Sequence, residues 1–178
     1  MKKFLAFVKA FVLIFVISGT AAFALYFGLR AWSPFHYPPI LVPLYRAPVI
    51  YLELYPAPFL LTLVALFALP GSVWLVFIAP RLKNLRWLQI GLIPFLTIAM
   101  AGPAWGALEA YYIMTVEGFH DFSGNLAYLG WGAQIGWPVG FASAIVSFPL
   151  NLLSYAVACA LLYALQRSSI FQARGKAV

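Results

Sequence analysis

Apolar residues run in long blocks along this chain rather than alternating with polar ones, and three blocks have the length of a membrane crossing. Residues 10–29 (AFVLIFVISGTAAFALYFGL), 58–79 (PFLLTLVALFALPGSVWLVFIA) and 87–108 (WLQIGLIPFLTIAMAGPAWGAL) each supply the roughly 20 mostly apolar residues that a helix needs to cross a bilayer core. A fourth block, 124–165, is about twice too long for one crossing at about 1.5 Å per residue. The fourth span is therefore predicted at about 140–165, with 126–138 an interfacial or re-entrant segment leading into it. Pro70, Pro94 and Pro103 stand inside the second and third spans and predict kinks there. The pattern predicts an all-α polytopic membrane protein, one transmembrane domain over 1–178 with four kinked spans. The connections on one side of the membrane are 30–57 and 109–139.

Composition agrees with this reading and narrows it. The chain is 65% hydrophobic and 8% charged, with a mean hydropathy of +0.95. Soluble domains carry about 25% charge, and a water-facing surface with so few charges would expose large apolar patches. Disorder needs the opposite composition, and a transmembrane barrel needs alternation.

The net charge of +7 points to membrane orientation once the charges are placed. Lys2, Lys3, Lys9, Arg81, Lys83, Arg86, Arg167, Arg174 and Lys176, nine of the eleven basic residues, fall on one side of the four predicted spans. Short loops rich in Lys and Arg remain cytoplasmic, so both termini are assigned to the cytoplasm, with the bacterial cytoplasmic (inner) membrane as the expected location. No nucleic-acid partner is expected, because the basic residues flank spans and form no phosphate-binding surface. Lys2, Lys3 and Lys9 before an apolar run, with Ala22-Phe23-Ala24 as a cleavage pattern, also fit a signal peptide. The run continues to Leu29 and favours a retained anchor.

The same partition sorts the chemistry. Glu53, Glu109, Glu117, Asp121, His36 and His120, together with Arg30 and Arg46, all fall on the outer side or at its boundary. The stretch from Arg30 to Pro58 also carries seven prolines (34, 38, 39, 43, 48, 56 and 58) interleaved with Trp32, Phe35, Tyr37, Tyr45, Tyr51 and Tyr55. That composition resists helix and suits the headgroup layer. Catalytic candidates are His120, Glu117, Asp121, His36 and Glu109, with Arg30 and Arg46 as ligands for an anionic headgroup. Glu117 and His120 have the i, i+3 spacing of di-metal bundles. Gly118 weakens a helix there and no second such pair exists, so no metal is assigned. Asp, Ser, Gly and Asn at 121–125 are turn residues. Glu109 ends the third span, where a carboxylate pairs or snorkels, and Arg30, or failing that Arg46, is its expected partner.

Gly102 and Gly106, then Gly132, Gly136 and Gly140, have the small-xxx-small spacing of closely packed helices, and Asn151 is placed to bond across an interface. The partners expected are membrane lipids and a protein subunit or second copy, met through these small-residue faces. No cofactor is expected, and Cys159, the single cysteine, is a packing residue. The function expected is that of a non-catalytic accessory, assembly or scaffold subunit of a membrane complex. The alternatives are a membrane-embedded enzyme acting on a lipid or lipid-linked substrate at the outer leaflet, and an oligomeric transporter or pore lined by Ser147, Asn151 and Ser154.

Overall fold

A computed structural model describes residues 2–32, 56–81, 86–119, 121–146 and 148–168, with side chains described at 3–28, 56–80, 88–119, 121–138 and 155–168. Every element among the described residues is helical: α1 (Lys2–Trp32), α2 (Pro56–Val73), α3 (Arg86–Glu117), α4 (Phe122–Val146) and α5 (Phe148–Arg167). After Val73, α2 widens into a π turn over Trp74–Ile78, where the Ala79 N–H bonds the Trp74 carbonyl, and ends in a tight turn at Ala79–Arg81. Among the described residues three stretches are long and apolar enough to cross a membrane: Lys3–Gly28, Pro56–Ile78 and Leu88–Glu117. They fit an integral membrane protein and correspond to the first three predicted spans.

Printed contacts give the register. Phe7 meets Phe77 at 6.3 Å between ring centroids, and Ile14 packs at Gly71, so α1 and α2 run antiparallel. Trp105 Nε1 donates to the Phe59 carbonyl at 3.0 Å and Trp74 Nε1 to Gln89 Oε1 at 2.7 Å, so α2 and α3 are antiparallel as well. Gly106 faces Gly132 and Gly102 faces Gly136, which makes α3 and α4 a third antiparallel pair. The end carrying the start of α2 and the α3–α4 turn is called distal below, and the end near the amino terminus proximal. Since Trp105 is level with Phe59, the last nine or so residues of α3 and the start of α4 overhang α2 by about 13 Å.

The predicted fourth span, 140–165, is shared between two helices, and 126–138 is helical throughout as part of α4. The α3–α4 register, continued straight, would carry residue 159 past the start of α3. Instead Cys159 Sγ lies 3.8 Å from the Ile90 carbonyl, and the Tyr155 hydroxyl donates to the Gly91 carbonyl at 2.9 Å. Leu162 packs at Gly71, beside Ile14. Those contact points stand at one level, because Trp74 and Gln89 are joined. The roughly 10 Å of α5 from Tyr155 to Leu162 therefore crosses α3, α2 and α1 instead of running beside them. The main core sits at that level: Ile14, Phe67, Ala68, Trp74, Leu75, Ala79, Ile90, Ile93, Leu162 and Leu165.

Candidate functional site

The distal end is built on a tight helix–turn–helix. Gly118 has φ 105°, a left-handed conformation that glycine adopts without a Cβ penalty, and its N–H caps the Met114 carbonyl at 2.9 Å. Asp121 then starts α4: its Oδ1 accepts from the Gly124 N–H at 2.9 Å and its Oδ2 from the Ser123 hydroxyl at 2.8 Å. That is an N-cap, in which the carboxylate also opposes the positive helix end. Glu117 closes α3 and is exposed. The backbone leaves the helix at Gly118, so α3 ends at Glu117; position 120, the other member of the i, i+3 pair, lies outside the described residues. No group of three or more His, Cys, Asp or Glu that could hold a metal occurs among the described residues.

Glu109 lies about two turns below Glu117, 8% exposed, on the face of α3 next to a compact aromatic group. Phe59 is fully buried, with Trp105, Leu108 and Tyr112 packed on it, and the Phe59 and Tyr112 rings stack at 6.1 Å and 19°. Burial at this level rules out a carboxylate that merely snorkels into water. The side chains of Arg30, Arg46, His36, His120 and Asn151 and the surroundings of Gly140 lie outside the described residues, and so does the expected Glu109–Arg30 pair. Around the overhang, Val116, Phe119, Phe122 and Leu126 are 73, 59, 83 and 60% exposed. The Tyr111–Phe119 and Tyr128–Trp131 ring contacts sit beside them.

Deeper in the bundle, polar side chains serve backbone carbonyls that prolines release. Proline lacks an N–H, so the carbonyl four residues earlier loses its helical partner. Pro70 releases Leu66, and the Thr97 hydroxyl of α3 lies 3.3 Å from that oxygen while also 3.0 Å from the Ile93 carbonyl. Pro94 releases Ile90, and Cys159 of α5 approaches it. The neighbouring Gly91 carbonyl takes the Tyr155 hydroxyl, and a Cβ at position 91 would stand 2.6 Å from that oxygen. Among the described residues no buried side-chain nitrogen or oxygen lacks a hydrogen bond.

Four of the five glycines of the predicted packing motif, Gly102, Gly106, Gly132 and Gly136, meet one another. A Cβ at Gly106 would collide with the Gly132 backbone, and one at Gly136 with the Gly102 carbonyl, while Ala110 closes on Gly132. Their faces are thus filled within the chain. Sequence reasoning missed Thr97, Tyr155, Trp74, Gln89 and Trp105 as fastening residues. A hydroxyl or indole carries no sign of its partner, but each proline did mark, four residues upstream, a carbonyl in need of one.

The chain matches no family model, no curated protein and no solved structure.

Proposed function

We propose that this chain is a non-catalytic subunit of a membrane complex, an accessory, assembly or scaffold protein held in the bacterial cytoplasmic membrane. The observation that carries this reading is where the polar chemistry goes. Thr97, Trp105, Tyr155, Cys159 and the Trp74–Gln89 pair all tie one helix to another, and Asp121 caps a helix. Between the helix ends, what faces outward among the described side chains is mostly apolar and aromatic, with Gln134 an exception, and suits lipid and other transmembrane helices. In this reading α1 to α4 are the four spans. α4 has 25 residues, enough for a crossing, and the packing of its Gly132 and Gly136 on Gly106 and Gly102 of α3 supports a return through the membrane beside α3. The proximal end, with Lys3 and Lys9, is cytoplasmic by the positive-inside rule, and α5 lies across it. The distal overhang, ringed by Tyr111, Phe119, Phe122, Tyr128 and Trp131, reaches the outer headgroup layer.

Extraction in mild detergent at native expression, with crosslinking and mass spectrometry, tests the subunit role. A stable assembly with another protein is expected, and recovery of this chain with no other protein overturns it. An impermeant maleimide tests the topology in a Cys159→Ala background. Glu117→Cys is expected to label from outside, and Lys3→Cys and Arg167→Cys only after permeabilisation. Labelling of Lys3→Cys and Glu117→Cys from the same side overturns the arrangement.

A further inference from the structure

We infer that the outward face of α4 docks against the same face of a second copy of this chain, with Gln134 at the centre of the contact. Gly132 and Gly136 turn towards α3, and at 100° per residue Gln134 points directly away from it. Gln134 is exposed, and among the described residues its carboxamide has no hydrogen-bond partner. Its backbone is short of a partner too: Pro138, inside α4, removes the N–H that the Gln134 carbonyl would accept. A carboxamide and a released carbonyl at one exposed position on a helix that returns beside α3 are costly in lipid, where no water is present to satisfy them.

Three features select a second copy over other occupants. A carboxamide is both donor and acceptor, so two identical ones satisfy each other across a two-fold axis, the symmetry of most homodimers. α4 carries no charged residue from Phe122 to Val146, so like meets like without repulsion. The surface around Gln134 also admits a helix: a Cβ at Gly130 would meet nothing within 4 Å, Ala127 and Pro138 are exposed beside it, and Trp131 and Trp137, 53 and 42% exposed, stand as walls on either side. The inference rests on α4 lying in the bilayer. It is independent of the complex-subunit role, since the pair would form with or without further proteins.

The test uses the full chain in liposomes, in a Cys159→Ala background. Under mild oxidation, Gln134→Cys and Gly130→Cys are expected to give disulfide-linked homodimers, and Val16→Cys, exposed on α1, is not. Without crosslinks, Gln134→Leu should lower the dimerisation constant roughly 3- to 20-fold, measured by energy transfer between labelled copies, while Gln134→Asn should retain part of it. Crosslinking at position 134 no greater than at 16, or Gln134→Leu associating like the parent, overturns the inference. Labelling of Gln134→Cys by an impermeant maleimide overturns the bilayer placement of α4 and with it the ground for a lipid-buried pair. A protected Gln134→Cys in a protein that stays monomeric overturns the dimer alone.

Discussion

The Thr97 hydroxyl stands 3.3 Å from the Leu66 carbonyl, the acceptor that Pro70 deprives of its own helical donor. A kink-forming residue in α2 is thus compensated by a side chain of α3. Thr97→Val is expected to destabilise the bundle by about 0.5–1.5 kcal/mol, the range for a hydrogen bond between membrane helices, and Thr97→Ser by much less. The loss should shrink in a Pro70→Ala background, where a restored N–H serves Leu66 directly. A double-mutant cycle read by reversible unfolding in bicelles measures this coupling; equal losses in both backgrounds would show that the hydroxyl matters only to the Ile93 carbonyl.

The α3–α4 pair depends on backbone contact. Gly106 and Gly136 each face backbone atoms of the opposite helix, which cannot rotate away as a side-chain tip does. Gly106→Ala and Gly136→Ala are each expected to cost about 2 kcal/mol or more, as overpacked sites do. Gly28→Ala, in open space on α1, should be neutral or slightly stabilising through helix propensity. Comparable losses at 106 and 28 in the same unfolding assay would contradict the seam.

The sequence made the helical class and the first three apolar runs legible, because length and hydropathy alone determine them. It also flagged Gly102, Gly106, Gly132 and Gly136, but a spacing of four says only that something approaches closely. That they pair with each other depends on the turn at Gly118 and Asp121, which sets the antiparallel register. The helix boundaries between 124 and 165 were less legible. Pro138 reads locally as a stop, yet α4 passes through it, since helices in an apolar setting tolerate proline. The transverse course of α5 has no local signature: it follows from Tyr155 and Leu162 fitting glycine gaps at Gly91 and Gly71 on other helices. The candidate site was the least legible part. Asp121, named for its chemistry, caps a helix, and residue type alone does not separate a cap from an acid.

The cap itself is testable. Asp121→Ala should cost about 1 kcal/mol, within the range for N-caps, and should speed amide exchange at Ser123, Gly124 and Asn125. Asp121→Asn keeps an acceptor oxygen and should retain most of the protection. Unchanged exchange in Asp121→Ala would mean that the α3–α4 seam alone holds the start of α4.

The crossing of α5 rests on Gly91, and here two effects of opposite sign compete. Alanine at 91 gains up to about 1 kcal/mol of helix propensity in α3, but its Cβ would press on the Tyr155 oxygen at 2.6 Å. That oxygen is the tip of a flexible side chain, so the ring will swing aside and give up its bond to the Gly91 carbonyl. The predicted result for Gly91→Ala is near-neutral stability with α5 loosened from α3. Cys159, one turn beyond Tyr155 and only partly exposed, reports that loosening: a lipid-soluble maleimide should modify it several-fold faster in Gly91→Ala than in the parent. Tyr155→Phe removes the clashing oxygen, so Gly91→Ala combined with Tyr155→Phe should react more slowly than Gly91→Ala alone. If Gly91→Ala leaves the Cys159 rate unchanged, Tyr155 is not what seats α5 across the bundle, and the packing of Leu162 at Gly71 must hold it unaided.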